Sequence, residues 1–335
     1  MAEPQAPEMD EIRRRLSIFF NQNQAMVERY ISLHGNQIVM RLIQDVRDEM
    51  ANIPQGSTPE EVKATKDSGD SPVFSIELEC PCCKQKAVLH RELRASAMSI
   101  KNDPFLVPVY FPIGKFQKLN YLTVNVAVCP RCLFASPDKK DFVQFNRTTR
   151  QTIPSQISMG ILAEIQDSLA ERQEIAESVA GPVDFTQCPR PFPVAILSYR
   201  LAEQRARMEA ESKQPFAVFK RANYWTRISL LQRQSGIEDT PSLEKALSLF
   251  KDAFFKTDFP NANMEFQSCF IIFSIYLRFG QIKEAREYVG VMEQSKKQVE
   301  ERKDPAALQA LNTWLGMAKA RWEDKDSPTL WDIPS

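Results

Sequence analysis

Two C-x-x-C pairs constrain this chain more than any other feature. The first is Cys80-Pro81-Cys82-Cys83 and the second Cys129-Pro130-Arg131-Cys132, so one stretch holds five of the seven cysteines. Two residues between thiolates let a tight turn aim both sulfurs at one point. Two such turns facing each other complete a tetrahedron around a metal with Zn–S bonds of about 2.3 Å. A disulfide framework would require an oxidising compartment and usually a small secreted chain. A redox C-x-x-C needs only one pair. Neither accounts for two matched knuckles, so the reading is one structural zinc ion held by Cys80, Cys83, Cys129 and Cys132. Cys82 is the awkward residue, since it could replace a neighbour in an alternative ligation. In the assigned set it points away as a small buried or free thiol.

Composition narrows the classes around that site. With 43% apolar and 26% charged residues over 335 positions, the chain has room for two or three domains. Its 43 basic and 43 acidic residues balance, which excludes a globally basic nucleic-acid binder. Ten glycines form neither a P-loop nor a G-x-G-x-x-G. Residues 1–11 are acidic and carry no apolar core of a signal peptide, and the longest apolar run, 269–277, is too short to span a bilayer. A reducing cytoplasm is the expected compartment.

In chain order, residues 1–53 read as an N-terminal helical segment. Ile12, Leu16, Phe19, Met26, Tyr30 and Leu33 draw one apolar stripe, which resumes at Val39, Leu42, Val46 and Met50 after His34-Gly35. That stripe packs on the chain's own body or supports self-association as a coiled coil. Residues 54–72 have a linker composition. Residues 73–150 read as a small β zinc-ribbon-like domain: residues 74–78 and 121–128 alternate apolar with polar, so a strand delivers each knuckle. The 45 residues between Cys83 and Cys129 make the insert long for a ribbon.

Residues 151–335 turn helical, and the fold class expected is mainly α. Helical segments are predicted over 157–179, 193–211, 216–234, 242–256, 264–279, 282–299 and 305–323. Short connections between them favour helix pairs stacked in an array. Tyr276, Gly280 and Ala285 fall at tetratricopeptide offsets for an aromatic, a turn glycine and a small residue. Ala246, Phe250 and Ala253 match the small–aromatic–small pattern one unit earlier. From Ala246 to Ala285 is 39 positions, against about 34 in the standard repeat, so the repeats are degenerate.

These knuckles, with Leu133-Phe134-Ala135 after the second and repeat-like helices beyond, resemble a bacterial family known as domain of unknown function 2225. The likeness covers roughly residues 76–293 and rests mostly on the second knuckle. Members are similar in having C-P-x-C, a long insert, C-P-x-C-G-(aromatic)-A and a helical tail. This chain departs from them with Lys84 and Leu133 where glycine is common, and with the extra Cys82. The resemblance implies the architecture; the family has no assigned activity.

Three functions compete on the residues. A non-catalytic scaffold would use zinc to staple its small domain and a helical groove to hold a protein partner. Tyr224, Trp225 and Arg227, then Met264, Gln267 and Arg278, are the residues expected on the inner helices. The alternative is nucleic-acid binding through residues 80–150, where basic residues exceed acidic ones by eight. Phe105, Tyr110, Phe111, Phe116, Tyr121 and Phe134 would offer stacking faces there. A zinc enzyme is the third. His90-Arg91-Glu92 followed by a C-x-x-C is deaminase-like, but that motif places proline before the first cysteine of the pair, whereas Pro130 follows Cys129. Four thiolates also leave no coordination position for water. The expectation is no catalysis, with His34 a surface or helix-break residue.

Overall fold

The computed structural model describes residues 69–335 except 147–149, 180–182, 215, 258, 260 and 335. The expected N-terminal helix and most of the expected linker lie outside the described residues. The described chain falls in one compact unit, Asp67–Ser335. The change at residue 150 is therefore one of secondary structure, with packing continuous across it.

The first part is built of four antiparallel hairpins. β1 (Val73–Leu78) pairs with β2 (Val88–Leu93), β3 (Met98–Asn102) with β4 (Pro108–Pro112), β5 (Ala127–Val128) with β6 (Ala135–Ser136), and β7 (Gln144–Asn146) with β8 (Gln151–Ile153). Glu79 and Val143 exchange backbone hydrogen bonds at 2.9 and 3.0 Å, tying the end of β1 to the chain entering β7. No sheet among the described residues exceeds two strands. Isolated two-stranded hairpins are marginal in water, so the module needs other ties. Residues 70–72 are already held to it: Gln117 N donates to Asp70 O at 3.0 Å, and Arg94 N to Pro72 O at 2.8 Å.

The expected strand over 121–128 forms only at its end. Residues 121–123 make a 3₁₀ turn, capped by the Asn120 side chain accepting from Leu122 N at 3.2 Å. The apolar alternation misleads here because Leu122, Thr123, Val124, Asn125, Val126 and Ala127 are all buried. With no exposed side, period two carries no information about a sheet face.

Eight helices follow among the described residues: α1 (Met159–Asp167), α2 (Leu169–Glu177), α3 (Phe192–Glu211), α4 (Ala217–Gln234), α5 (Thr240–Lys256), α6 (Ala262–Arg278), α7 (Ile282–Arg302) and α8 (Pro305–Glu323). From α3 onward each packs on the next, and α8 returns onto α6. The single helix predicted over 157–179 is broken at Ser168, whose hydroxyl bonds back to Ile165 O at 3.2 Å. Serine competes with the helical ladder in this way. Elsewhere the ends carry their signals. Asn261 and Asp304 cap α6 and α8 by accepting from Met264 N and Ala307 N, each at 3.0 Å. Gly280, at φ 70°, closes α6 with Gln281 N bonded to Tyr276 O at 2.9 Å. Only a residue free to take positive φ fits that turn without strain.

Two apolar cores result. The larger joins α3–α8 and also takes in Phe105, Val107, Leu122, Val126, Val128 and Ala135 from the hairpin part. The smaller surrounds the cysteines and includes Leu78, Val88, Phe134 and Phe142, with Ile161, Leu162 and Ile165 of α1. The first helix thus covers the knuckles.

Candidate metal centre

Each knuckle is the tip of a hairpin. The first lies between β1 and β2, the second between β5 and β6. The two turns are built alike. Cys80 O accepts from Lys84 N at 3.1 Å and Cys80 N donates to Gln85 O at 2.9 Å; Cys129 O accepts from Leu133 N at 2.9 Å and Cys129 N donates to Phe134 O at 2.8 Å. Lys84 and Leu133 both sit at φ 59°, the left-handed region that glycine takes most easily. Both turns thus form with a side chain at that position.

These turns bring Cys80, Cys83, Cys129 and Cys132 together, with all four sulfurs within 4.8 Å of one another. Cys80 and Cys132 lie 3.5 Å apart, as do Cys83 and Cys129. A tetrahedron with metal–sulfur bonds of about 2.3 Å has edges of about 3.8 Å, so the spacing suits a cation held by four thiolates. Cys80, Cys129 and Cys132 are buried and Cys83 is half-buried. Proximity to Cys129 draws the Cys83 and Cys132 thiols below their ordinary value and pushes Cys80 above it. Cys82 stays outside this set but does not face solvent. It is buried, its thiol is pushed up chiefly by the neighbouring Cys132, and its carbonyl accepts from Gln166 Nε2 at 2.6 Å.

Buried and half-buried arginines bind this module to the helices. Arg172 Nε of α2 donates to Cys132 O at 2.8 Å, and Arg205 Nε of α3 to Ala135 O at 3.0 Å. Arg190 Nη1 reaches Val126 O at 2.7 Å, and Arg321 of α8 donates to Pro104 O. Arg205 also pairs with Asp141 Oδ2 at 3.1 Å, and Arg233 of α4 pairs with the buried Asp103. Burial draws the Arg172 pKa below its ordinary value and Arg190 down to about 10. Sequence reading found none of these residues, because their acceptors are mostly backbone carbonyls that leave no trace in residue identity.

His90 is not among the clustered ligands. It lies on β2, buried, with Nδ1 lacking a hydrogen-bond partner, and burial lowers its pKa to about 4. Glu92 pairs instead with Lys139 at 2.6 Å. The stacking residues divide: Phe105 and Phe134 are core, Tyr110 packs edge-on against Tyr121, and Phe111 lies beneath Lys101.

Of the residues expected on inner helices, Tyr224, Arg227 and Gln267 line one cleft of about 310 Å³ together with Asp138, Asp141 and Lys220. Trp225 lies under Lys245, and Arg278 sits over Trp331. Neither reaches the cleft, and Met264 does not line it.

Fold and site define a mainly helical protein with a four-cysteine, two-knuckle module. The chain belongs to the family described as an uncharacterized protein conserved in bacteria (DUF2225), which it matches over residues 73–312. No curated protein and no solved structure shows a significant match to it. No helix among the described residues is long and apolar enough to cross a membrane.

Proposed function

We propose that Cys80, Cys83, Cys129 and Cys132 hold one structural zinc ion, and that the chain is a non-catalytic cytoplasmic scaffold receiving a protein partner in its helical groove. An all-thiolate set leaves no open position for a reacting water. Zinc binding of this kind contributes roughly 10–16 kcal/mol of apparent free energy to folding, which suits a module of two-stranded hairpins. Small buried residues at Ala246, Ala253 and Ala285 favour the close helix approach of a degenerate tetratricopeptide-like array.

The observation that carries the partner reading is the cleft. Helices α4 and α6 contribute Tyr224, Arg227 and Gln267 to one concavity, and tyrosine and arginine dominate interface energetics. The runner-up, nucleic-acid binding, draws on the β3–β4 hairpin, where Ile100 is exposed and Lys101 lies 5.1 Å from the Phe111 ring centre. Affinity capture from native lysate, with and without nuclease, separates the two. The main partner should survive nuclease and be lost from a folded Arg227→Glu, Arg278→Glu double variant. Loss under nuclease with full capture by the variant would promote the nucleic-acid reading.

A further inference from the structure

The cleft between α4, α6 and the loop after the second knuckle holds one cation without an ion pair among the described residues. Its lining contains Arg205, Lys220 and Arg227. Arg205 pairs with Asp141 at 3.1 Å and also with Glu209, whose second oxygen pairs with Lys220 at 2.9 Å. Arg227 forms no ion pair or hydrogen bond among the described residues and is half-buried, its guanidinium 5.9 Å from the Tyr224 ring centre. A partly desolvated charge without a counter-ion is costly, and a bound anion would offset that cost. Two more donors stand beside it. The buried Tyr224 hydroxyl accepts from Arg205 Nη2 at 3.4 Å, which leaves its own proton without an acceptor among the described residues. Gln267 lines the same wall and has no hydrogen bond there.

We propose that this cleft binds a single carboxylate, with Arg227 as its counter-ion and the Tyr224 hydroxyl and Gln267 amide as neutral donors. A planar guanidinium fork matches a carboxylate in two parallel hydrogen bonds. Asp141 and Glu209 answer Arg205 and Lys220, and Asp138, also in the lining, has no ion pair among the described residues. The cleft therefore adds one negative charge on taking a monoanion and two on taking a phosphate dianion, which favours the monoanion. The volume, about 310 Å³, is that of a small-ligand pocket, and the Phe219 ring supplies an apolar wall for an alkyl stem. Resting on the helical face as a partner surface, the inference specifies what the partner presents: an acidic side chain.

The test uses the purified full chain and a fluorescein-labelled peptide carrying one glutamate, beside its glutamine counterpart. Anisotropy should show the glutamate peptide binding about tenfold more tightly, the equivalent of one charge-assisted hydrogen-bond pair. Butyrate should displace it at concentrations where inorganic phosphate does not. Arg227→Gln should abolish the preference at unchanged metal content and melting temperature, Arg227→Lys should restore part of it, and Arg278→Gln should leave it intact. Binding of butyrate without the peptide would uphold the carboxylate site and assign it to a small molecule. Equal affinity for the two peptides together with no butyrate binding, equal displacement by phosphate, or full preference in Arg227→Gln would overturn it. Nuclease-resistant partner capture alongside such a failure would leave the scaffold reading standing and remove only the carboxylate.

Discussion

The two knuckles share one backbone turn and differ in everything around it. Pro81 and Cys82 of the first are buried, and the Cys82 carbonyl is held by Gln166 of α1. Pro130 and Arg131 of the second are exposed, while its last cysteine is tied from behind by Arg172 of α2. Aiming two sulfurs is thus a local property, set by two residues of spacing and one left-handed position. Anchoring the knuckle to the rest of the chain is a tertiary property, met once by a glutamine and once by a buried guanidinium.

If ligation is symmetric, losing a cysteine from either knuckle should be equally damaging. Cys80→Ser and Cys132→Ser should each abolish the cooperative thermal transition of the hairpin module, because breaking the set removes the metal's contribution to folding, roughly 10 kcal/mol or more. Survival of one transition and loss of the other would show that only one pair ligates. Anchoring should be asymmetric by contrast. Arg172→Met strips a charge-assisted bond from a buried carbonyl and should cost about 2–3 kcal/mol in denaturant unfolding. Gln166→Ala removes a neutral bond that an exposed glutamine makes to the first tip and should cost about 1 kcal/mol. Equal losses would erase the distinction.

Protonation sharpens the contrast further, since the first hairpin buries His90. Its folded pKa of about 4 lies below the ordinary imidazole value of 6.5, so the unfolded chain binds the proton more tightly. Its contribution to stability is full above about pH 6.5 and falls as pH drops toward 4, by up to about 3 kcal/mol. His90→Leu should flatten that part of the wild-type pH profile; an unchanged slope would mean the imidazole is solvated. The smallest effect concerns the turns themselves. Lys84 is exposed, so Lys84→Gly should relieve a left-handed side chain and stabilise by about 1 kcal/mol. Leu133 occupies the same φ but packs on the main core, so Leu133→Gly should lose at least what it relieves.

The ligand spacing and the helix limits were legible because both are local. Pro305 after Asp304, and Gly280 after the apolar run of α6, set helix ends within a residue or two of those found. Residues 121–126 misled because burial on every side imitates strand alternation. Arg172, Arg190 and Arg205 were invisible because an arginine facing a distant carbonyl looks, in sequence, like one facing water. Tyr224, Arg227 and Gln267, expected on inner helices, do share a cleft, whereas Arg278, expected there as well, sits over Trp331 of the C-terminal segment instead.

The central claim is that four thiolates, two from each knuckle, hold one zinc ion and that Cys82 takes no part. Elemental analysis of the purified wild type, Cys82→Ser and Cys129→Ser tests it most directly. The account predicts one zinc per chain in the wild type and in Cys82→Ser, and none in Cys129→Ser. Zinc retained in Cys129→Ser, or lost in Cys82→Ser, would contradict it.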